Sequence, residues 1–272
     1  MSKQIIYGLC VLLIASIFAN DAYAQRKDSV LFVAPTRLEM GPKDRIKTVV
    51  VTNKSERARR YDINIIEQEM NEQGLTETVE QFKYSAKSML RFVPKRFTLE
   101  PNERQVVRVM VRRKANIEDG DYHSHMLFRE VPVRPEKKKE LIDTTKQQAS
   151  FSIPALYGLA IPVVVQQGNI ESDVKITDAK LINNESLAIS FDRSGNAEGT
   201  GRITVEYGGK SIAQRQWIRI YRERDTITRL VKLDVPEGVT LSGGEIKIDL
   251  LDGVSDSFEE ASTLQTFTVP VN

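Results

Sequence analysis

One stretch of alternating residues constrains this chain more than any other feature. Over residues 150–166 nearly every second side chain is apolar, beginning with Phe151 and Ile153. A continuous strand rises about 3.3 Å per residue, so this stretch could extend roughly 50 Å, whereas strands of globular proteins usually have about 3 to 10 residues. Pro154 and Pro162 lack a backbone N–H, and proline in strands is confined to edges and bulges. The pattern predicts a long apolar edge strand, which is an aggregation site unless a partner covers it.

The remaining chain also has the pattern of strands. Residues 61–65 and 107–111 alternate between more and less polar side chains, which is typical of half-buried strands. Turn residues recur at short intervals, as at Gly41-Pro42, and Gly208-Gly209 is a strong hairpin signal. Short strands with regular turns favour a β-sandwich. The sequence therefore predicts an all-β fold with two immunoglobulin-like β-sandwich domains in tandem.

The N-terminus has the three parts of an export signal. Lys3 supplies a positive charge, an apolar run follows, and Ala22-Tyr23-Ala24 is a small-x-small cleavage site. The apolar run of about 14 residues is shorter than the roughly 20 that a membrane span needs. We expect a cleaved signal peptide over residues 1–24, with no membrane insertion of the mature chain.

The length that remains suits two domains of ordinary size. We place the first domain, which contains the long edge strand, at residues 25–168, and the second at residues 169–272. Gly168 is the expected hinge between them.

Composition argues against several classes of function. The single cysteine, Cys10, lies within the expected signal, so the mature chain has no disulfide and no thiolate site. A net charge of +2 does not suggest a nucleic-acid partner. There is no P-loop, dinucleotide turn or nucleophile elbow, and the sequence predicts no enzyme activity and no cofactor.

The two histidines of the chain, His123 and His125, fall on the same face of a predicted strand. Two imidazoles in that arrangement could begin a metal site, but only carboxylates remain to complete it. We expect two exposed strand residues and no metal.

Short motifs along the mature chain resemble those of the PapD-like periplasmic chaperones, which assemble pili. Their order and spacing, after a signal peptide, carry the resemblance more than any single motif. The motifs are residues 34–38 (APTRL), 49–55 (VVVTNKS), 92–101 (FVPKRFTLEP), 105–109 (QVVRV), 128–132 (FREVP) and 187–196 (LAISFDRSGN).

The resemblance implies a function that suits the long strand. Chaperones of this family bind pilus or fimbrial subunits that lack their last immunoglobulin strand, lend them a strand, and pass them to an outer-membrane usher. By position, Phe151, Ile153 and Ala155 would be the subunit-binding side chains of this donor strand. An open edge of this kind could also pair with itself and give dimers when no subunit is bound.

The resemblance also implies an anchor for the C-terminal carboxylate of the subunit. Arg37 matches the first of two basic residues that the family uses. The second is a lysine, but the equivalent position here is Ala160. Either another basic residue takes its place, or the strand alone holds the subunit.

Other interpretations remain open from the sequence. Phe151 and Ile153 could pack in the core of the protein itself, and Arg37 could form an ordinary inter-domain ion pair. The chain could also be a secreted structural or adhesive protein with two β-sandwich domains. The periplasm is the expected location for the chaperone.

Overall fold

The computed structural model describes residues 31–132, 156–235, 240–253, 258 and 260–271. Strands and turns make up these residues, and none of them is helical. Within this part of the chain no helix is long and apolar enough to cross a membrane. The expected all-β architecture of two sandwiches is confirmed, whereas the expected signal peptide lies outside the described residues.

The strands before residue 168 form a sandwich of two sheets. One sheet has the order β1-β3-β8-β6, and the other has the order β2-β10-β9-β4-β5 with β7 also paired to β4. The strands are β1 (Leu31–Ala34), β2 (Leu38–Met40), β3 (Ile46–Asn53), β4 (Arg59–Met70), β5 (Thr76–Val79), β6 (Leu90–Val93), β7 (Arg96–Leu99), β8 (Arg104–Val111), β9 (Gly120–Val131) and β10 (Gly158–Gln167).

The alternating residues pack between these two sheets. Val107 and Val109 of β8 are buried from one side, and Tyr61, Ile63 and Phe128 are buried from the other. Since successive side chains of a strand point to opposite faces, each strand contributes every second residue to this core.

The strands after residue 171 form a second sandwich. One sheet has the order β11-β12-β16, and the other has the order β14-β13-β17-β18 with β15 also paired to β13. The strands are β11 (Ser172–Asn183), β12 (Ser186–Gly195), β13 (Gly199–Tyr207), β14 (Lys210–Ser211), β15 (Gln216–Ile220), β16 (Thr226–Lys232), β17 (Glu245–Asp252) and β18 (Thr263–Pro270). Gly208 and Gly209 form the predicted hairpin turn, between β13 and β14.

The β4–β5 hairpin of the first sandwich lies against the second sandwich. Met70, the last residue of β4, is buried in the second core. At the hairpin turn the backbone N–H of Thr228 donates to the Glu72 carbonyl (2.8 Å), and Arg229 Nη1 donates to the Gly74 carbonyl (3.0 Å). The two sandwiches therefore share part of a core.

Gly168 links the two sandwiches in a conformation that favours glycine. Its φ is +63°, and a Cβ at this position would lie 1.7 Å from Asp119 Oδ1. The same carboxylate accepts the N–H of Asn169 through Oδ2 (3.1 Å). Packing against Asp119 thus holds the residue that the sequence predicts as a hinge.

Candidate functional site

The first half of β10 has an open side. Along its whole length β10 pairs with β9, from Gly158 opposite Arg129 to Gln167 opposite Gly120. Its other side pairs with β2 only at residues 163–165. Among the described strands nothing pairs with residues 158–162 on that side, so β10 is an edge strand up to Pro162 and an interior strand from Val163.

Pro162 is the last residue of β10 before its pairing with β2 begins. The N–H of Glu130 donates to the Tyr157 carbonyl (2.8 Å), so these two residues form a hydrogen-bonded pair. Bonded and non-bonded pairs alternate along an antiparallel ladder, which puts Pro162 in a non-bonded pair with respect to β9. Its missing N–H therefore faces the open side, where proline costs no ladder bond.

Apolar side chains are exposed where β10 begins. Leu156 is 49% exposed and Leu159 is 37% exposed, while Ile161 and Val163 are buried in the core. The open edge is thus apolar as well as unpaired in the described part of the chain. The predicted donor residues Phe151, Ile153 and Ala155 immediately precede this edge but lie outside the described residues, and their role stays a prediction.

Arg37 lies between the two sandwiches and binds a carboxylate from each. Its Nε donates to Glu39 Oε1 (2.7 Å), and its Nη2 donates to Glu198 Oε2 of the second sandwich (2.6 Å). Burial disfavours the charged guanidinium, but the charge of Glu198 and the two hydrogen bonds raise the pKa of Arg37. The inter-domain ion pair considered from the sequence is therefore formed.

Glu198 joins Arg37 to a second guanidinium. Arg219, on β15, donates from Nη1 to Glu198 Oε1 (2.9 Å), so the two arginines share one buried carboxylate. The backbone N–H of Glu198 donates to Asp121 Oδ2 (2.5 Å). Burial, with the nearby charge of Glu198, raises the pKa of Asp121 to about 6.

These side chains line a pocket of about 490 Å³ between the sandwiches, and Trp217 forms part of its wall. Two guanidiniums reach it, and the side chain of Glu39 is half exposed. A carboxylate from another molecule could replace Glu39 on Arg37, because a guanidinium binds carboxylates through several planar donors.

Sequence reasoning did not find Arg219. The position that corresponds to the family's second basic residue is Ala160, which pairs with Leu127 of β9 and is half-buried. Arg219 comes to Arg37 from the other sandwich, and no local motif marks it. The only sequence signal for Arg219 is its place between the apolar residues Ile218 and Ile220 of β15.

The expectation that both histidines are exposed is wrong. His123 and His125 are buried where β9 faces the second sandwich. His123 Nε2 lies 3.1 Å from both oxygens of Glu223, and its ring stacks on Tyr221 at a centroid distance of 4.0 Å. A strand pattern shows which residues share a face but not which part of the chain covers that face.

Both histidines pack in the buried interface between the two sandwiches. Burial, with the charges of His123 and Arg37, lowers the pKa of His125 to about 4. No group of three or more histidine, cysteine or carboxylate side chains in the described ranges could hold a metal ion.

Comparisons with known proteins give matches among solved structures. No protein-family model matches the chain, and no curated protein matches it. The E. coli chaperone DraB is 13% identical, with 89% of this chain and 96% of that chain covered and a TM-score of 0.48. A second match is the CsuC–CsuE chaperone–tip adhesion subunit pre-assembly complex, from archaic chaperone-usher Csu pili of Acinetobacter baumannii. The identity is 10%, the match covers 89% of this chain and 97% of that chain, and the TM-score is 0.48.

A third match is the Salmonella enterica SafA pilin in complex with the SafB chaperone, at 12% identity, coverage of 89% and 96%, and a TM-score of 0.46.

Proposed function

We propose that this chain is a periplasmic chaperone for pilus or fimbrial subunits. It caps an incomplete immunoglobulin-like subunit by donating a strand, and delivers the subunit to an outer-membrane usher. The observation that carries the proposal is the open, apolar side of β10 up to Pro162, directly after the alternating residues Phe151 and Ile153.

Strand addition suits an edge of this kind. In β-augmentation, backbone hydrogen bonds along the edge supply affinity, and alternate side chains fill pockets of the partner. Burying a phenylalanine or isoleucine side chain stabilises the complex by roughly 1.5–3 kcal/mol each. Phe151, Ile153 and Ala155 share one parity and would therefore enter the same groove of the subunit.

The subunit's C-terminal carboxylate would bind in the inter-domain pocket. Arg37 is the anchor that the motif resemblance implies, and Arg219 takes the role of the second basic residue. Both guanidiniums already hold the carboxylate of Glu198. A subunit carboxylate would displace the half-exposed Glu39 and leave Glu198 in place.

The strand proposal is tested by capture in the periplasm. The tagged chain is expressed with its own signal, and proteins that co-purify are identified by mass spectrometry. We expect a small β-rich exported protein that lacks a terminal strand. Phe151→Asp with Ile153→Asp should abolish its recovery, because charged side chains cannot enter an apolar groove.

A matched control places the same charges elsewhere. Leu230 and Leu264 are exposed apolar residues of the second sandwich, and Leu230→Asp with Leu264→Asp should leave capture unchanged. Circular dichroism and urea unfolding show whether each variant is folded. Equal capture by the two double variants would refute strand donation, and an unfolded Phe151/Ile153 variant would indicate that these residues pack in the protein's own core.

The anchor is tested separately. Arg37→Ala should weaken capture of the same subunit, whereas Glu198→Gln removes the charge of the inter-domain ion pair but retains both guanidiniums. Loss of capture in Arg37→Ala alone supports the anchor. An equal loss in both variants would mean that Arg37 acts only by joining the two sandwiches.

The open edge of β10 also predicts how the protein associates when no subunit is bound. Without a subunit, two copies could pair edge to edge, and we expect a concentration-dependent dimer. Sedimentation velocity measures it, and the Phe151→Asp, Ile153→Asp variant should remain monomeric under the same conditions.

A further inference from the structure

Arginines and aromatic rings alternate on the outer face of the β13–β15 sheet. Cζ of Arg202 lies over the rings of Trp217 (4.1 Å) and Phe258 (4.9 Å). The stack continues at both ends, since Arg219 Cζ lies 5.3 Å from the Trp217 ring and Arg215 Cζ lies 5.4 Å from the Phe258 ring. We name these five residues the arginine–aromatic stack.

Arg202, at the centre of the stack, is unusual among surface arginines. It is 0% exposed, although it alternates along β13 with the core residues Gly201 and Ile203 and therefore points away from the core. Its Nε, Nη1 and Nη2 atoms have no hydrogen-bond partner among the residues that the structure describes. A buried guanidinium with five unused N–H donors is costly unless something satisfies it.

The rings of Trp217 and Phe258 stabilise the positive charge of Arg202 but leave its N–H donors without acceptors. A ring attracts a cation through its face and accepts no conventional hydrogen bond from the edge of the guanidinium. The N–H groups lie in the guanidinium plane and have a spacing that matches the two oxygens of a carboxylate. A carboxylate is therefore the chemical group that would complete the site.

Trp217 provides a route to this site. Its side chain covers Arg202 yet is 43% exposed, and it also forms part of the wall of the inter-domain pocket. Thr200 and Gly253, the latter next to β17, line the same pocket. Rotation of the indole would open Arg202 to a ligand in the pocket.

We propose that Arg202, held between Trp217 and Phe258, is a carboxylate-binding site that opens when the Trp217 indole moves. The proposal concerns the second sandwich and does not depend on strand donation by β10. Its ligand is a carboxylate, either of a small organic acid or of an acidic side chain on a protein.

Trp217 is the only tryptophan of the chain, so its fluorescence reports on this site and on the adjoining inter-domain pocket, and variants of Arg202 and Arg37 separate the two. The mature chain is titrated with sodium acetate at constant ionic strength, with sodium chloride and acetamide as controls. We expect a saturable change in Trp217 emission with acetate, together with greater quenching by acrylamide. Sodium chloride and the neutral isostere acetamide should give neither effect.

A second titration identifies the source of the carboxylate. If tetraglutamate half-saturates the site at a concentration at least tenfold below acetate, counted per carboxylate, the natural ligand is an acidic segment of a protein. Equal values indicate a small organic acid. Both results support a carboxylate site, whereas a non-saturating response, or one that acetamide reproduces, would overturn it.

Variants test whether Arg202 itself is the ligand-binding group. Arg202→Gln should abolish the acetate response, and Arg202→Lys should weaken it by about tenfold because lysine lacks the bidentate fork. Arg108→Gln, an exposed change on β8 of the first sandwich, should have no effect. An unchanged response in folded Arg202→Gln would overturn the assignment. If that variant does not fold, Arg37→Ala decides the question: a retained acetate response supports Arg202, and a lost response would assign the acetate to the inter-domain pocket and overturn the proposal.

Discussion

At the scale of single residues, the titration of two buried groups in the interface between the sandwiches changes the stability of the fold in opposite directions. Asp121 faces Glu198, His123 and Arg222, and burial raises its pKa to about 6. His125 faces His123, Arg37 and Glu223, and burial lowers its pKa to about 4. As the pH rises from about 4 to about 6, folded Asp121 releases a proton that its unfolded form has already lost, so the free energy of unfolding falls. Over the same range the unfolded form of His125 releases a proton that its folded form lacks, which stabilises the fold.

We expect these two effects to cancel in the unmodified protein and to separate in variants. Asp121→Asn can still accept the N–H of Glu198, but it removes the destabilising contribution. Between pH 4 and pH 6.5 its free energy of unfolding should rise, relative to the unmodified protein, by on the order of 2–3 kcal/mol. His125→Asn should give a relative change of opposite sign. Urea unfolding at several pH values measures both, and parallel pH profiles for all three proteins would contradict the assignment.

A buried ion pair provides a second prediction at this scale. Arg59 Nη1 donates to Glu130 Oε1 (2.5 Å), and both side chains are nearly buried. Glu130→Ala would leave a buried guanidinium without its partner, and should lower the free energy of unfolding by about 3–5 kcal/mol. The control is Asp62→Ala, which removes an ion pair to the exposed Arg96 and should cost less than about 1 kcal/mol. Similar losses in urea unfolding for both variants would refute the distinction.

At the scale of elements, the strands are more predictable than their surroundings. The period-2 patterns at residues 61–65 and 107–111 lie in β4 and β8, and their apolar members face the core as predicted. Local alternation is enough for this, because it reflects the two faces of one strand. The docking of the β4–β5 hairpin was not predictable, since Met70 is buried by residues more than a hundred positions later in the chain.

The turn of that hairpin allows a matched test. Gly74 has a φ of +71°, and a Cβ there would lie 2.9 Å from Ile227 Cδ1. Gly208 has a φ of +57° with nothing within 4 Å of a Cβ. Gly208→Ala should cost about 1 kcal/mol for backbone conformation alone, and Gly74→Ala should cost more because Ile227 and Arg229 must shift. We also expect faster hydrogen exchange of the Thr228 amide in Gly74→Ala only; equal effects in the two variants would show that the hairpin does not press on the second sandwich.

At the scale of the whole molecule, buried polar contacts join the two sandwiches. Glu223 is central, because its carboxylate contacts His123 and accepts the backbone N–H of Met70 (3.0 Å). Burial alone would raise the pKa of Glu223, but the hydrogen bond and charge of His123 outweigh it and keep the pKa below its ordinary value. The two sandwiches should therefore unfold as one unit, although the chain has two cores.

Calorimetry of the mature chain should show a single transition. Glu223→Ala leaves the Met70 amide and the His123 ring without their acceptor, and should reduce stability by about 2–4 kcal/mol and divide the transition into two. Glu245→Ala, at an exposed position in β17, is the matched control and should change neither property. Two transitions in the unmodified chain would show that the interface does not couple the sandwiches.

The candidate site shows the same limit of sequence reasoning at this scale. Arg37 stands out in the sequence because it lies in a short motif, and the structure places it between the sandwiches in an ion pair with Glu198, while its anchor role stays a prediction. Arg219 and the burial of His123 could not be identified, because both depend on how the second sandwich meets the first. Contacts between distant segments are absent from local patterns of polarity.

The hairpin also has a consequence for the order of synthesis. Met70 is translated before every strand of the second sandwich, and the core that receives it is complete only after Val269 and Val271 have been added. A first sandwich that forms before the second therefore exposes Met70 to solvent. Formation of the second sandwich buries Met70, so the first sandwich is complete only when the second has formed.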